Sequence, residues 1–420
     1  MIKSITFIAI VIFTVFSLHN STFAREYYVS KFGSDRNNGS RFEPFKTIQA
    51  GVNVATAGDT IYVMQGIYNE RIFINKTGSK EKYLRITNYN NEKVILDGTG
   101  LKTKSKAFTI GEYQNKYHSS YIWIEGFEIR NYPGHGIVST PGSNHIVIKK
   151  VYTHHNKGNG IYMYPDYSLK PGQSGYHLIE NCHAEFNLHH GIKIAGVGTI
   201  VRNCVCNDNN PSGEEKRDGC GLQVSDNNWN VTVIGGMFYR NNRQGIRCAA
   251  KNATIKNVEC FDNIKNGIKV GSKARNILIT YCISYNNHNR GLWISSEVMN
   301  INVLNSKFYE NWQQGIKLSG IIKNVNIKNC AIFDNKYNGI LITSQKGFLG
   351  YNNNILIENN KFYRNKQGSI KLESVKGVFI KSNKFYTLDN INKELLKDKT
   401  VFDITIEENQ FIKPSVSSIE

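Results

Sequence analysis

Several things are scarce in this chain of 420 residues, and each scarcity excludes something. Apolar residues at helical spacing occur only at Thr47 to Ala55 and Asn392 to Lys397, so a helical bundle is excluded. After residue 24 no stretch is long and apolar enough to cross a bilayer. There is no Cys-x-x-Cys and no His-rich spacing, which argues against a zinc site. Acidic side chains are few: 33 Asp and Glu face 52 Lys and Arg, a net charge of +19 in a chain of which only 20% is charged.

The single long apolar run lies at the start. Lys3 precedes Ile5 to Leu18, and Ser21-Thr22-Phe23-Ala24 ends on a small residue, the pattern of a leader cleaved before Arg25. An uncleaved anchor is the alternative, but the run is short for a span, and no Cys follows it for lipid attachment. The expectation is a signal peptide over 1–24 and an exported chain, secreted or periplasmic, monomeric and without a transmembrane segment. A basic exported protein is expected to meet an acidic polymer or an anionic envelope surface, since nucleic acid is scarce there. General solubility in a Lys/Asn-rich chain is the plainer explanation of the charge.

A repeat organises the rest. Gly-Ile or Gly-Leu pairs begin at Gly136, Gly160, Gly191, Gly221, Gly245, Gly267, Gly291, Gly315 and Gly339, spaced by 24, 31, 30, 24, 22, 24, 24 and 24 residues, and Gly368 continues the series. Four residues before most of them stands Asn: Asn156, Asn187, Asn241, Asn263, Asn287, Asn311 and Asn335. A column of Asn at turns forms an amide ladder, and Gly in the same corner permits backbone angles other residues resist. Short β-branched segments such as Val231-Thr232-Val233-Ile234 and Asn276-Ile277-Leu278-Ile279 run between the corners. The fold class expected is all-β, a single-stranded right-handed parallel β-helix of about 10–12 coils over 25–420, with a short N-terminal capping helix. Residues 25–75 form the cap and first strands, 76–386 the coils, and 387–420 the last coil and tail.

The eight cysteines fall largely into the same repeat. Cys182, Cys204, Cys282 and Cys330 share one column, and Cys248 takes the inward place of Ile194, Val224, Val270 and Ile294. They read as stacked, buried small hydrophobes. Cys182 and Cys204 sit on adjacent turns and can either bridge or stay free.

The N-terminal motifs carry a family resemblance. Glu26-Tyr27-Tyr28-Val29-Ser30, Gly33-Ser34-Asp35, Pro44-Phe45-Lys46-Thr47-Ile48-Gln49, Gly58-Asp59-Thr60-Ile61-Tyr62-Val63 and Gly66-Ile67-Tyr68-Asn69-Glu70 resemble the cap of the pectate-lyase-like β-helix superfamily. The resemblance covers essentially the whole chain after residue 24. It implies the fold rather than the substrate, because lyases, hydrolases, epimerases and non-catalytic proteins share this scaffold.

Within each Gly-Ile-x-Ile strand, alternation turns the residue two places after Gly outward. That column reads Tyr162, Lys193, Gln223, Arg247, Lys269, Trp293, Lys317, Leu341 and Lys371, a ladder of cations with an aromatic in it. Nothing about a β-helix requires like charges there. A solvated face is the plain reading, and a track for a polyanion the functional one. Arg247 can grip a carboxylate and Trp293 can stack on a sugar ring. A second column six residues after Gly holds Asn227, Lys251, Lys273 and Glu297, with Lys251 and Lys273 as further substrate contacts. Two insertions, Met163 to Tyr176 with Asp166 and Lys170, and Asn207 to Arg217 with Asp208, Glu214 and Glu215, flank the track.

β-Elimination from a uronate needs a base at C5 and a cation on the carboxylate, supplied by calcium or Arg. Crowding by other cations lowers a lysine's pKa and fits it for the first task. Arg247 and Lys269 are therefore the candidate catalytic pair; Lys193, Gln223, Trp293 and Lys317 are candidate substrate contacts. The pair resembles the Lys/Arg arrangement of β-helix lyases acting on alginate- and chondroitin-type chains. A more local resemblance is to family-nine pectate lyases, in which an acidic loop runs into Asp-Gly-x-x-x-Lys, the Lys being the base and the neighbouring aspartates binding calcium. Asp218-Gly219 matches, but Gln223 stands at the base position. Either the base has moved to Arg247 or Lys269, or this chain binds without cleaving. The candidate calcium ligands are Asp218, Asp208, Asp226 and Glu214, and the same loop can instead be solvated or paired with Lys216 and Arg217. His135, His154, His155, His189 and His190 supply a rival centre, as in epimerases or copper-delivery proteins of this fold, although the Asp-Pro-His-Asp motif of mannuronan epimerases is missing. The function expected is a lyase of an acidic, uronate-containing glycan. The alternatives are a non-catalytic glycan-binding or envelope protein, a hydrolase or an epimerase.

Overall fold

The computed structural model describes residues 24–112, 118–164, 175–213, 218–226, 228–344, 353–387, 394–398 and 400–413. The leader expected over 1–24 lies outside them apart from Ala24, as do Asp166, Lys170, Glu214, Glu215, Lys216, Arg217 and Asn227. No helix among the described residues is long and apolar enough to cross a membrane.

The chain winds as a right-handed parallel β-helix. One face is a sheet of thirteen parallel strands of three or four residues. It takes in the rungs marked by Gly-Ile and adds Ile72–Ile74 and Phe108–Ile110 before them and Leu395–Lys397 after them, so it runs past the ten to twelve coils expected. The other two faces form one 27-stranded sheet, because Ile200–Asn207 and Thr232–Tyr239 run unbroken around the bend that divides the two faces elsewhere. Alternation is clear along most of the described strands. Ile246 and Cys248 point into the core while Arg247 between them is only partly covered, and the same holds for Ile268, Lys269 and Val270. The core is one continuous stack of Ile, Val, Leu and Phe.

The helix α1, Ile48–Val54, closes the N-terminal end, with the Thr47 hydroxyl accepting from the Ala50 N–H. Glu70, carried from the next coil, accepts from the N–H groups of Ile48 and Gln49 and so anchors the first turn. Burial pushes the Glu70 carboxyl up. Of the segment with helical spacing, Asn392 to Lys397, residues 392 and 393 lie outside the described ones, Glu394 is helical, and Leu395–Lys397 is a strand paired with Ile370–Leu372. Pairing with a rung already present satisfies backbone groups that so short a helix would leave open.

The Asn column is a continuous amide ladder, running through Asn156, Asn187, Asn209, Asn241, Asn263, Asn287, Asn311, Asn335 and Asn365. At each rung the amide N–H2 donates to the next Asn oxygen, 2.9 Å from Asn263 to Asn287, and that oxygen also accepts the backbone N–H of the rung before it. Asn209 and Asn365 join the ladder although their spacing to Gly differs, because the insertion in that turn falls between Asn209 and Gly221. Residues 230, 252, 276, 300, 324 and 354 form a second, exposed Asn ladder at another corner.

The reason for the corner glycines differs from the expectation. None from Gly136 to Gly339 has positive φ. A Cβ on Gly245 would stand 2.8 Å from the Gly267 carbonyl oxygen and 2.9 Å from the Asn263 amide nitrogen, so the column is kept free of side chains by crowding. At this corner the left-handed position is the one just before the ladder, held by His155, Phe186, Asp208, Arg240, Asp262, Asn286, Glu310, Asp334 and Arg364.

All eight cysteines are free and buried, Cys182 and Cys204 included. Burial pushes the Cys220 and Cys330 thiols up to about 12 and those of Cys248 and Cys282 to about 11, which makes them inert packing groups.

Asn287→Ala in the buried ladder leaves the Asn263 donor and the Asn311 acceptor without their partner and is expected to cost about 1–3 kcal/mol. Asn276→Ala in the exposed ladder, where water replaces the amide, is expected to stay within about 0.5 kcal/mol. Denaturant unfolding followed by circular dichroism checks the contrast.

Candidate functional site

The narrow sheet carries the site. Strand register puts Tyr162, Lys193, Gln223, Arg247, Lys269, Trp293, Lys317, Leu341 and Lys371 into one outward column, each directly above the next. Neighbouring strands lie about 4.8 Å apart, so Arg247 and Lys269, on adjacent rungs, stand closer than a Debye length.

Three kinds of contact hold the charges in place. The Lys193 ammonium lies 4.9 Å from the centre of the Tyr162 ring. The Lys269 ammonium lies 4.0 Å from that of Trp293, and the Arg290 guanidinium approaches the same indole at 5.2 Å. The indole N–H donates to the Ser319 hydroxyl at 2.8 Å, which fixes the ring. Asp218, at the end of the inserted turn, meets Arg243 at 3.2 Å and Arg247 at 3.7 Å. One carboxylate therefore draws two arginines, from different columns, toward one point.

The lysines are correspondingly acidified. Burial holds Lys193 below its ordinary pKa, opposed by Asp218 and reinforced by Arg247. Burial and then Arg247 do the same to Lys269. Burial and Arg290 lower Lys317. The Trp293 face favours the charged form of Lys269 and offsets part of that effect.

Several expected contacts stand elsewhere. Gln223 keeps its place between Lys193 and Arg247 but is 6% exposed, its amide oxygen 3.9 Å from the Cys220 sulfur, so it offers almost no surface. Lys251 and Lys273 do not share a column, because the 22-residue turn shifts the phase. Lys251 pairs in register with Arg275 and covers Trp229 at 4.6 Å, while Lys273 faces Glu297 at 3.7 Å. The acidic residues do not converge either. Asp208 is gripped by Arg240 on another face, with 2.7 Å between its oxygen and the guanidinium. Asp218 precedes Leu222–Val224 and exposed Asp226 follows it, so they stand at opposite ends of that strand. Among the described residues no three His, Cys, Asp or Glu come together as metal ligands. Asp208, Asp218 and Asp226 thus stand apart, and Glu214 lies outside the described residues.

The histidines divide in two. His154, at the end of the strand Tyr152–His154 of the wide sheet, and His155, in the bend after it, are joined at 2.7 Å through their Nδ1 atoms. His190 is buried in the corner, its Nδ1 accepting from the Cys220 N–H, and burial holds it neutral. Arg243, against Asp218, and Arg290, against the Trp293 ring, lie outside the outward column, and Tyr162 within it carries Lys193. For Arg290 the signal was readable: the residue before each Gly forms its own column, with Gln244, Arg290 and Gln314 along the edge of the track.

Comparison with known proteins agrees with this architecture. Residues 27–231 match the family described as Pel9A-like, right handed beta helix region, and residues 219–355 match the right handed beta helix region. Over 87 residues, 20% of this chain and 21% of the relative, the chain is 38% identical to pectate lyase PEL9 of Emericella nidulans. Over 129 residues, 29% of this chain and 27% of the relative, it is 30% identical to the uncharacterized protein YwoF of Bacillus subtilis. The matches thus span roughly a quarter of those relatives' lengths. Among solved structures, the A-module of mannuronan C-5 epimerase AlgE6 of Azotobacter vinelandii superposes with a TM-score of 0.62 over 88% of this chain and 95% of that one, at 17% identity. Pectate lyase Pel9A does so at 0.50 over 86% and 79%, at 19% identity. At such identities the likeness is one of fold.

The Lys269–Trp293 contact has a direct readout. Indole fluorescence should change as Lys269 loses its proton, with a midpoint below the ordinary lysine value of 10.5, the direction set by burial and Arg247. Lys269→Met should abolish that step.

Proposed function

We propose, the chain being a right-handed parallel β-helix protein of the pectate-lyase-like superfamily, that it binds a uronate-containing glycan along the narrow sheet and cleaves it by β-elimination. The observation that carries the reading is the register pair Arg247–Lys269, an arginine beside a lysine of lowered pKa. An arginine keeps its proton, so Arg247 is the carboxylate clamp and Lys269 the base. Neutralising the uronate carboxylate makes the C5 proton more acidic. The Lys269 amine takes that proton, the electrons move to the C4–C5 bond, and the C4 oxygen leaves. Trp293 offers an apolar face to a sugar ring, and Lys193 and Lys317 extend the cationic track to either side. Asp218 holds Arg247 until the substrate carboxylate competes for it.

Calcium has no step in this scheme, since the described carboxylates are engaged with arginines or stand apart. Export from the cell is part of the proposal, because such polymers are met outside it.

The test is incubation with a panel of uronate polymers, following absorbance of the unsaturated product. Lys269→Ala and Arg247→Ala are each expected to lower turnover by about 100-fold or more while part of the binding remains. Lys317→Ala is expected to weaken binding by about 0.2–1 kcal/mol without affecting turnover otherwise. Reducing ends without absorbance would mean hydrolysis. Binding without either product would leave a track that does not cleave, the outcome favoured by Gln223 at the base position. Unchanged affinity after charge reversals along the column would remove the glycan reading.

A further inference from the structure

The other end of the molecule holds a buried carboxylate with no cationic partner. Asp59, 2% exposed, accepts through one oxygen from the Thr56 N–H at 2.8 Å and the Thr56 hydroxyl at 3.0 Å. Its other oxygen accepts from the backbone nitrogen of Arg25 at 2.8 Å. All three donors are neutral, and among the described residues no Lys, Arg or His side chain pairs with it. A carboxylate this buried gains most from a counter-charge brought within hydrogen-bond reach.

The Arg25 nitrogen is the atom that can become that counter-charge. Ala24 and Arg25 are exposed, and Ala24 lines a surface cavity of about 120 Å3 with Ala57, Gly58, Lys82 and Tyr83. The nitrogen itself points inward to Asp59, just before the first strand, Glu26–Val29, pairs with Thr60–Val63. The Arg25 carbonyl accepts from the Thr60 N–H at 2.9 Å, so both sides of residue 25 are already docked. Ser21 to Ala24, ahead of it, has the small-residue ending of a leader.

We propose that the bond between Ala24 and Arg25 is a processing site, and that the α-ammonium freed there docks on Asp59 as a buried ion pair that locks the cap. Water adds across the peptide bond. The Ala24 carbonyl keeps the oxygen as a carboxylate, and the Arg25 nitrogen leaves as an amine that takes up a proton at neutral pH. The neutral 2.8 Å hydrogen bond becomes charge-assisted, on a residue whose side chain need not move. Glu26–Val29 is the first rung of its ladder, so pinning its start closes the edge that would fray first. The proposal is independent of the glycan reading.

Two measurements decide it. The full chain is produced with its own leader in a bacterial secretion host, and the intact mass of the exported protein is taken. A mass beginning at Arg25 is expected; a retained leader or any other start overturns the assignment. Residues 25 onward are then released from a fusion in two forms, one with the Arg25 amine free and one with Gly-Ser ahead of it. The free form should melt higher by about 2 °C or more, and Asp59→Asn should erase the difference. Equal melting of the two forms on the Asp59 background overturns the ion pair. That comparison stands even if Asp59→Asn fails to fold. A difference that persists in Asp59→Asn overturns it as well.

Discussion

A primary amide buried at a corner has two donors and an acceptor to satisfy, and in this molecule another copy of itself one rung away meets part of that need. From Asn187 to Asn365 every oxygen in the ladder serves the side chain and the backbone N–H of the rung before it. This fixes the rise between coils and the direction of each corner. The left-handed residue preceding the Asn and the absence of a side chain on the following Gly are both conditions for the amide to reach its place. The core strands, whose Ile and Val are interchangeable in kind, would not by themselves choose one rung height at every turn.

The same regularity explains how much could be seen without coordinates. The outward column from Tyr162 to Lys371 was legible because the Gly marker and the alternation of a three-residue strand leave a single phase. Lys251 and Lys273 show where that stops. Counting from Gly holds while turns are of equal length, and the 22-residue turn breaks it two residues before Lys251 pairs with Arg275. Asn209 was hidden for the converse reason, since an insertion after it moved the Gly away while the corner stayed in line. The grouping of Asp218 with Arg243 and Arg247 was not legible, because it depends on where an inserted turn folds back. The acidic residues of that insertion looked like a cluster in one dimension, whereas Asp208 and Asp218 lie on opposite sides of a corner.

Placing five cations in one column is costly for an isolated sheet, and the surroundings disclose how it is offset. Aromatic faces lie against Lys193 and Lys269, a carboxylate lies against Arg247, and burial lowers the pKa of both lysines. Lys317 has burial and Arg290 acting in the same direction. The column is therefore rigid and only partly neutralised. That suits it to a polymer whose own charges recur along its length, and each anion that binds relieves repulsion already present.

The uneven turn lengths have a consequence for assembly. A stack of identical rungs can engage one coil out of step, with every Ile still inward and every amide still matched, so a uniform repeat has many near-equivalent misthreaded states. The turns of 31, 30 and 22 residues remove that degeneracy, because only one alignment sets each anomalous turn beside neighbours of the right length. They work as keys, and between Gly267 and Gly339, where three spacings of 24 follow one another, the keys are absent. That segment is where a slip by one whole coil encounters the least resistance, and there the distinct outward side chains Lys269, Trp293, Lys317 and Leu341 are what tell one rung from the next.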